Sequence, residues 1–192
     1  MHRIIVQPHT DDAYLSLHSH MVRWIKQGDL VTIATCWAGT RYFEAENYAN
    51  AIKAEHQSLW DQDEHHPEYK EAPAGEGPAL YIPRLPESAE HWYDNLVYLP
   101  LGIQHQEHKT VSRMTLPGCH VSWYLDHPYY AKTTKHDEVN ELMKDRKVVS
   151  FEAPSGRKYH DKFTKIFKTQ SMFFHYNTEK LKGLPEVILG GI

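Results

Sequence analysis

A β-branched run, a polar turn, one helical stripe and a second β-branched run open the chain in that order, and nothing else in the sequence restricts the fold as much. Residues 3–7 (RIIVQ) stop at Pro8, and His9, Thr10, Asp11 and Asp12 make the turn. Over 14–27, Leu15, Leu17, Met21, Val22, Trp24 and Ile25 recur at helical spacing, Gly28 supplies a stop signal, and 30–36 (LVTIATC) reads as a second strand. A tight hairpin joins antiparallel strands, whereas a crossover helix between two strands leaves them parallel. The opening therefore predicts a βαβ unit and, with it, an α/β protein.

The rest of the chain continues the alternation. Residues 37–47 read as a loop, 48–61 as a second helix on the spacing of Ala49, Ile52, Leu59 and Trp60, and 62–77, rich in Glu, His, Pro and Gly, as an exposed loop, with a lid equally open as its role. Strands are expected at 79–82, 95–101 (NLVYLPL), 120–125, 147–151 and in the terminal EVILGGI, with helices at 135–146 and, introduced by Gly156, at 157–167. No internal repeat or linker divides the chain, so residues 1–192 are expected to form a single domain: a Rossmann-like, open, mostly parallel sheet with helices on both faces. Such sheets bind ligands beyond the carboxyl ends of their strands.

Composition narrows the function classes. No window approaches the ~18 apolar residues of a membrane span, and the short apolar run at 4–6 falls far short of a secretory leader, so a cytoplasmic protein is expected. The formal charge of -4 and the lack of long Lys/Arg runs argue against nucleic acid as a primary partner. Cys36 ends an expected strand and Cys119 directly precedes another, and both read as buried reduced thiols. Fifteen histidines are the unusual count, since imidazole is the commonest metal ligand and a proton carrier near neutral pH.

Two polar clusters stand where a parallel sheet exposes its functional loops. His9-Thr10-Asp11-Asp12 follows the first strand, and His105-Gln106-Glu107-His108 follows NLVYLPLG. A catalytic zinc takes three nitrogen or oxygen ligands and a water; His9 and Asp12 can supply two, and a histidine of the second loop the third. The paired carboxylates suit one ligand and one proton acceptor, because the metal brings the pKa of its water to roughly 7. An Asp-Asp pair ahead of a helix is equally the pattern of an N-terminal cap. His65 and His66, in the 62–77 loop, could bind metal but read first as surface residues, and Tyr129 and Tyr130 read equally as a sugar-facing wall or as core packing.

On these residues the chain resembles the LmbE-like, or PIG-L, de-N-acetylases. PHTDDAYLSLHSHMVRWIKQGDLVTIATCWAG is similar to the family's opening strand, His-Pro-Asp-Asp turn, helix and second strand. VYLPLGIQHQEHKTV is similar to its Pro-Leu-Gly and His-x-Asp-His motif, WYLDHPYYA to its Tyr-x-Asp-x-Pro-Tyr segment, and KFTKIFKTQ to a late helix ending in Ser-Gln. The four landmarks occur in family order and span most of residues 3–170.

Carried over position by position, the resemblance implies a zinc ion, with iron(II) or cobalt as alternatives, held by His9, Asp12 and His108. It implies Asp11 as general base, His105 as the group that stabilises the oxyanion or protonates the leaving amine, and Asp126 as the acid that orients His105 from behind. Trp37, Arg41 and Tyr129 are the substrate-binding candidates. The expected reaction is removal of an N-acetyl group from a small N-acetylated sugar or glycoconjugate. Hydrolysis of another small amide, such as a thiol conjugate or modified nucleoside, and a non-catalytic carbohydrate-binding module of the same fold are the rivals. Departures from the pattern are Thr10 for proline, His18 and His20 where a Gly-Gly pair is usual, Glu107 for aspartate, and the second-helix Arg-x-x-Glu, which aligns with Ile52-Lys53-Ala54-Glu55 and lacks its arginine.

Overall fold

The structure, a computed structural model, describes residues 1–60, 95–114, 116, 118–133, 136–153, 165–174, 181 and 183–191. The opening unit is as expected: strand β1 (His2–Gln7), helix α1 (Asp12–Lys26) and strand β2 (Leu30–Trp37), with β1 and β2 paired in parallel from His2↔Leu30 to Gln7↔Thr35. Along β1, Ile4 and Val6 enter one core cluster with Leu99, Val111 and Met114, while Ile5 enters another with Tyr14, Leu17, Met21, Trp24 and Tyr48. All three β1 side chains are fully buried. At about 1.5–3 kcal/mol each, this two-faced burial fixes β1 at the centre of the sheet. Alternation across the strand is what sends neighbours to opposite layers.

Helix α2 (Tyr42–Ile52) follows a short 3-10 turn at Gly39–Arg41, and strand β3 (Glu55–Trp60) pairs in parallel with β2. This corrects the expected loop at 37–47 and helix at 48–61. The helix ends because Lys53 adopts the left-handed conformation, φ 68°, and the chain then turns into an edge strand. An edge strand needs no continuous apolar run, so the polar sequence EHQSLW hides its pleat; Leu59 is its buried anchor.

Strands β4 (Leu96–Pro100) and β5 (His120–Tyr124) extend the parallel sheet on the other side of β1, with α3 (Gln106–Ser112) between them. Helices α4 (Tyr129–Lys132) and α5 (His136–Met143) lead to β6 (Arg146–Glu152), and β7 (Glu186–Gly191) returns between β5 and β6, antiparallel to both. The order is β3-β2-β1-β4-β5-β7-β6. The sheet is thus mostly parallel, in a single α/β domain of Rossmann-like build. The chain leaves β1 towards β2 on one side and places β4 on the other, so the seam between β1 and β4 is the topological switch point where such sheets form clefts.

The expected strand at 79–82, the 62–77 loop with His65 and His66, and 157–164 of the expected late helix lie outside the described residues. Residues 165–167 are not helical. Both cysteines are free thiols, and no helix among the described residues is long and apolar enough to cross a membrane.

Candidate metal centre

Both polar clusters lie at the carboxyl ends of the two strands flanking the seam. The first follows β1 directly. Asp11 occupies the N-cap position of α1 without a side-chain cap bond, and the Asp12 Oδ2 accepts from the His9 backbone N–H at 2.7 Å. The reading of the Asp-Asp pair as a simple helix cap is therefore not what the side chains do. The second cluster follows β4 through a turn in which Gly102 takes φ 92° and Gln104 φ 63°. A Cβ on Gly102 would lie 2.5 Å from Ser112 Oγ and 3.2 Å from the Lys109 Cα, so only glycine lets the turn close on α3.

His9, Asp12 and His108 converge, each buried, with one donor atom apiece lying within 4.8 Å of the others. His9 Nδ1 is 3.3 Å from Asp12 Oδ2, and His108 Nε2 is 3.3 Å from Asp12 Oδ1. Two ligands bound tetrahedrally at roughly 2.0–2.1 Å stand about 3.3 Å apart, a figure that both His–Asp separations match, each to a different oxygen of Asp12, while the three donors together lie within 4.8 Å. The tautomer fits as well. His108 Nδ1 lies 3.1 Å from Asp126 Oδ2, which leaves the buried Nε2, without a hydrogen-bond partner, as the nitrogen available to a metal. A carboxylate behind a ligating imidazole is the usual way to fix its orientation and raise its basicity.

Asp126 does more than this. It is fully buried, and its carboxylate accepts from three successive backbone N–H groups, Leu101 at 2.6 Å, Gly102 at 2.9 Å and Ile103 at 2.8 Å. The expectation that Asp126 orients His105 is thus corrected: it holds His108 and the β4–α3 turn. The partner of His105 is Glu107, whose Oε2 lies 3.2 Å from His105 Nδ1. The difference follows from register, since α3 turns His108 inward and leaves the His105 side chain half exposed at its start.

The electrostatics of the cluster follow from burial opposed by close charge. Burial works against charging His108, yet the carboxylates of Asp12 and Asp126 outweigh it and raise its pKa to about 10. Asp12, for which burial favours the neutral form, is held far below the carboxylate range by His108 and His9. Asp11 moves the other way: burial and the Asp12 charge raise it, with the Arg41 guanidinium only partly compensating. Burial alone would lift Glu107, but its hydrogen bond with His105 brings it down to about 2. One aspartate is thereby kept anionic while its neighbour becomes a better proton acceptor.

Arg41 reaches Asp11 Oδ1 at 3.2 Å and Glu44 Oε2 at 3.3 Å. Glu44, buried, also accepts from the Thr169 backbone N–H and hydroxyl at 2.7 Å each, and the Gln170 amide, with its oxygen turned towards Arg41, accepts from that guanidinium at 3.0 and 3.1 Å. Arg41 and Glu44 thus form an ion pair at Arg-x-x-Glu spacing, away from the 52–55 position where the sequence reading looked for one, and Thr169 and Gln170 pack against it. Lys53 sits exposed at the far end of α2, and Glu55 accepts from Thr32. Glu44 is the residue that sequence reasoning missed, and the spacing from Arg41 was the available signal.

Tyr129 stands with its ring 4.8 Å from both His105 and His108, where it walls the cluster. The Trp37 indole is buried in the apolar cluster with Val6, Cys36 and Leu99. His18 and His20, the departures in α1, are packing residues. His18 pairs with the Tyr48 hydroxyl at 2.7 Å, and His20 lies between Glu186 and Ser150.

At the level of sequence, no family model and no curated protein matches the chain. Solved structures do. The chain is similar to a deacetylase of the teicoplanin biosynthesis pathway, with 14% identity over 98% of this chain and 97% of that one and a TM-score of 0.72. It is similar to the antimicrobial-reagent pseudoaglycone deacetylase Dbv21, with 18% identity, 99% and 96% covered, and a TM-score of 0.72. The zinc-inhibited form of teicoplanin deacetylase Orf2 matches at 15% identity, 98% and 97% covered, with a TM-score of 0.63. At these identities the likeness is one of fold, from end to end of the described domain.

Proposed function

We propose that this chain, which shares the fold of LmbE-like deacetylases, is a zinc-dependent amide hydrolase that removes the acetyl group from an N-acetylated sugar or glycoconjugate. The observation that carries the reading is the buried His9–Asp12–His108 cluster with Asp126 fixing the outer nitrogen of His108. Zinc there would supply a Lewis acid for the acetamide carbonyl and a water acidic enough to be deprotonated near neutral pH. Iron(II) suits the same donor set and is the second candidate.

The chain's own residues supply the rest. Asp11, beside the cluster and raised in pKa, takes the proton of the attacking water. Arg41 holds the Asp11 carboxylate from its outer side, so the base keeps its place as its charge changes. His105, at the solvent-facing rim and steadied by Glu107, is placed to stabilise the tetrahedral oxyanion and to return a proton to the departing amine. Tyr129 presents an aromatic wall on which an apolar sugar face can pack. Acetate and a free amine are the products.

The test is elemental analysis of the purified protein together with acetate release from a panel of N-acetyl sugars and glycoconjugates. Bound zinc with equimolar acetate and amine supports the reading, and Asp11→Asn should keep the metal and lose turnover. Metal without acetate from any member of the panel would move the activity to another class of amide. Full activity after exhaustive metal removal would overturn the mechanism.

A further inference from the structure

Helix α1 begins at the metal cluster with an N-cap aspartate that does not cap. Its first free N–H groups still need acceptors, because an unpaired buried amide costs about 1–3 kcal/mol. One of them, Ala13 N–H, is accepted at 2.8 Å by the side-chain oxygen of Gln7, a residue from the end of β1. Gln7 has no exposed surface. Its amide nitrogen donates to Thr35 Oγ1 on β2 at 2.8 Å and reaches the Thr10 carbonyl at 3.4 Å, and Thr35 Oγ1 is in turn 3.0 Å from His56 Nε2 on β3. One side chain thus grips the turn carrying His9, Asp11 and Asp12 from within, and ties it across three strands.

From this we infer that Gln7 is a positioning residue of the metal centre: by capping α1 in place of the aspartates, it leaves Asp12 free to ligate and Asp11 free to act as base. The inference rests on the metal-centre reading above. Without the Gln7 oxygen, the carboxylates at the helix N-terminus are the nearest acceptors for the vacated Ala13 N–H, and a carboxylate that swings to cap the helix leaves the cluster. A merely structural Gln7 would lower stability and leave the ligands where they are.

The two roles separate by measuring zinc affinity, by competition with a chromophoric chelator, alongside the thermal midpoint of the metal-free protein. Gln7→Met keeps the side-chain volume and removes all three hydrogen bonds. It should weaken zinc by about 10–100-fold, the range seen when a supporting residue of a metal site is lost. Thr35→Val, which removes only the outer anchor of Gln7, should give a smaller loss in the same direction and decides the matter if Gln7→Met does not fold. Tyr48→Phe breaks the His18 hydrogen bond on the same helix. It should lower the midpoint without changing zinc affinity. Unchanged affinity in Gln7→Met, or in Thr35→Val where the first variant is unfolded, overturns the inference alone. A parent protein that binds no zinc overturns the metal-centre reading and this inference together.

Discussion

Asp126→Asn tests the centre most severely, because the substitution preserves shape and removes acceptors. The carboxylate serves Leu101 N–H with Oδ1, and Gly102 N–H, Ile103 N–H and His108 Nδ1 with Oδ2. An asparagine has one oxygen and an NH2, so in either orientation at least one backbone N–H faces another donor. Turned the better way, it keeps three partners as neutral bonds and sets its NH2 against Leu101. A hydrogen bond to a charged group contributes about 1.5–3 kcal/mol and a neutral one about 0.5–1.5, so one loss and three bonds each weakened by about 1–1.5 amount to about 4.5–7.5 kcal/mol. For a chain of this size each kcal/mol is worth about 2–4 °C, which predicts a fall of roughly 9–30 °C in the thermal midpoint of the metal-free protein. Zinc affinity should fall by about 10–100-fold as well, because the imidazole loses its anionic partner. Calorimetry and chelator competition on the purified variant read both. A midpoint within about 2 °C of the parent, less than one kcal/mol on this scale, with zinc affinity unchanged, would refute the assignment of Asp126 as the support of both His108 and the turn.

The other expectations concern the turn, the metal and the surface. Gly102→Ala places a Cβ 2.9 Å from Ser112 Cβ at a φ of 92° and should destabilise by about 3 kcal/mol or more; adding Ser112→Gly should recover only part of this in a denaturant titration, since the Lys109 backbone still intrudes. Zinc added at a hundredfold excess over its dissociation constant should stabilise the metal-free protein by about 2.7 kcal/mol, and no shift in thermal midpoint would deny that the folded chain holds the ion. Asp29 is held below its ordinary pKa by its hydrogen bond with Arg3, and the N-terminal amine adds to the effect. Its folded-state pKa being depressed, that stabilisation is complete above the unfolded value of 3.8 and disappears as pH falls through the folded value. Arg3→Met should therefore move the acid-unfolding midpoint upward in a pH titration followed by circular dichroism, and an unmoved midpoint would remove Asp29 from the acid response.

Much of the candidate centre was legible because its donor residues lie in local patterns. His9 and Asp12 follow a β-branched run, and His108 follows another, so the period-2 to helix transition marked both strand ends. Where partners lie far apart in the chain, the pattern said nothing. Gln7 looks like one more residue of a strand until Thr35 and Ala13 are placed beside it. Asp126 could be seen as acidic and suitably placed, but whether it faced His105 or His108 depends on the rotation of α3. The edge strand β3 was misread because an unpartnered edge relaxes the demand for apolar residues that makes inner strands visible. That error also hid α2, so Arg41 and Glu44 were not recognised as the spaced pair they form.

The placement of the cluster across the β1–β4 seam has a bearing on how the molecule assembles. Two of the three donors sit three residues apart in one turn and are in place once the opening βαβ unit forms, through contacts of short sequence separation. The third arrives from the far side of a long excursion, after β4 has docked against β1 and α3 has wound. Closing such a distant contact carries the larger entropic cost and comes late in folding. An ion meeting the nascent chain would find only two of the three donors, so full-strength capture would report that the two flanks of the sheet have zipped together.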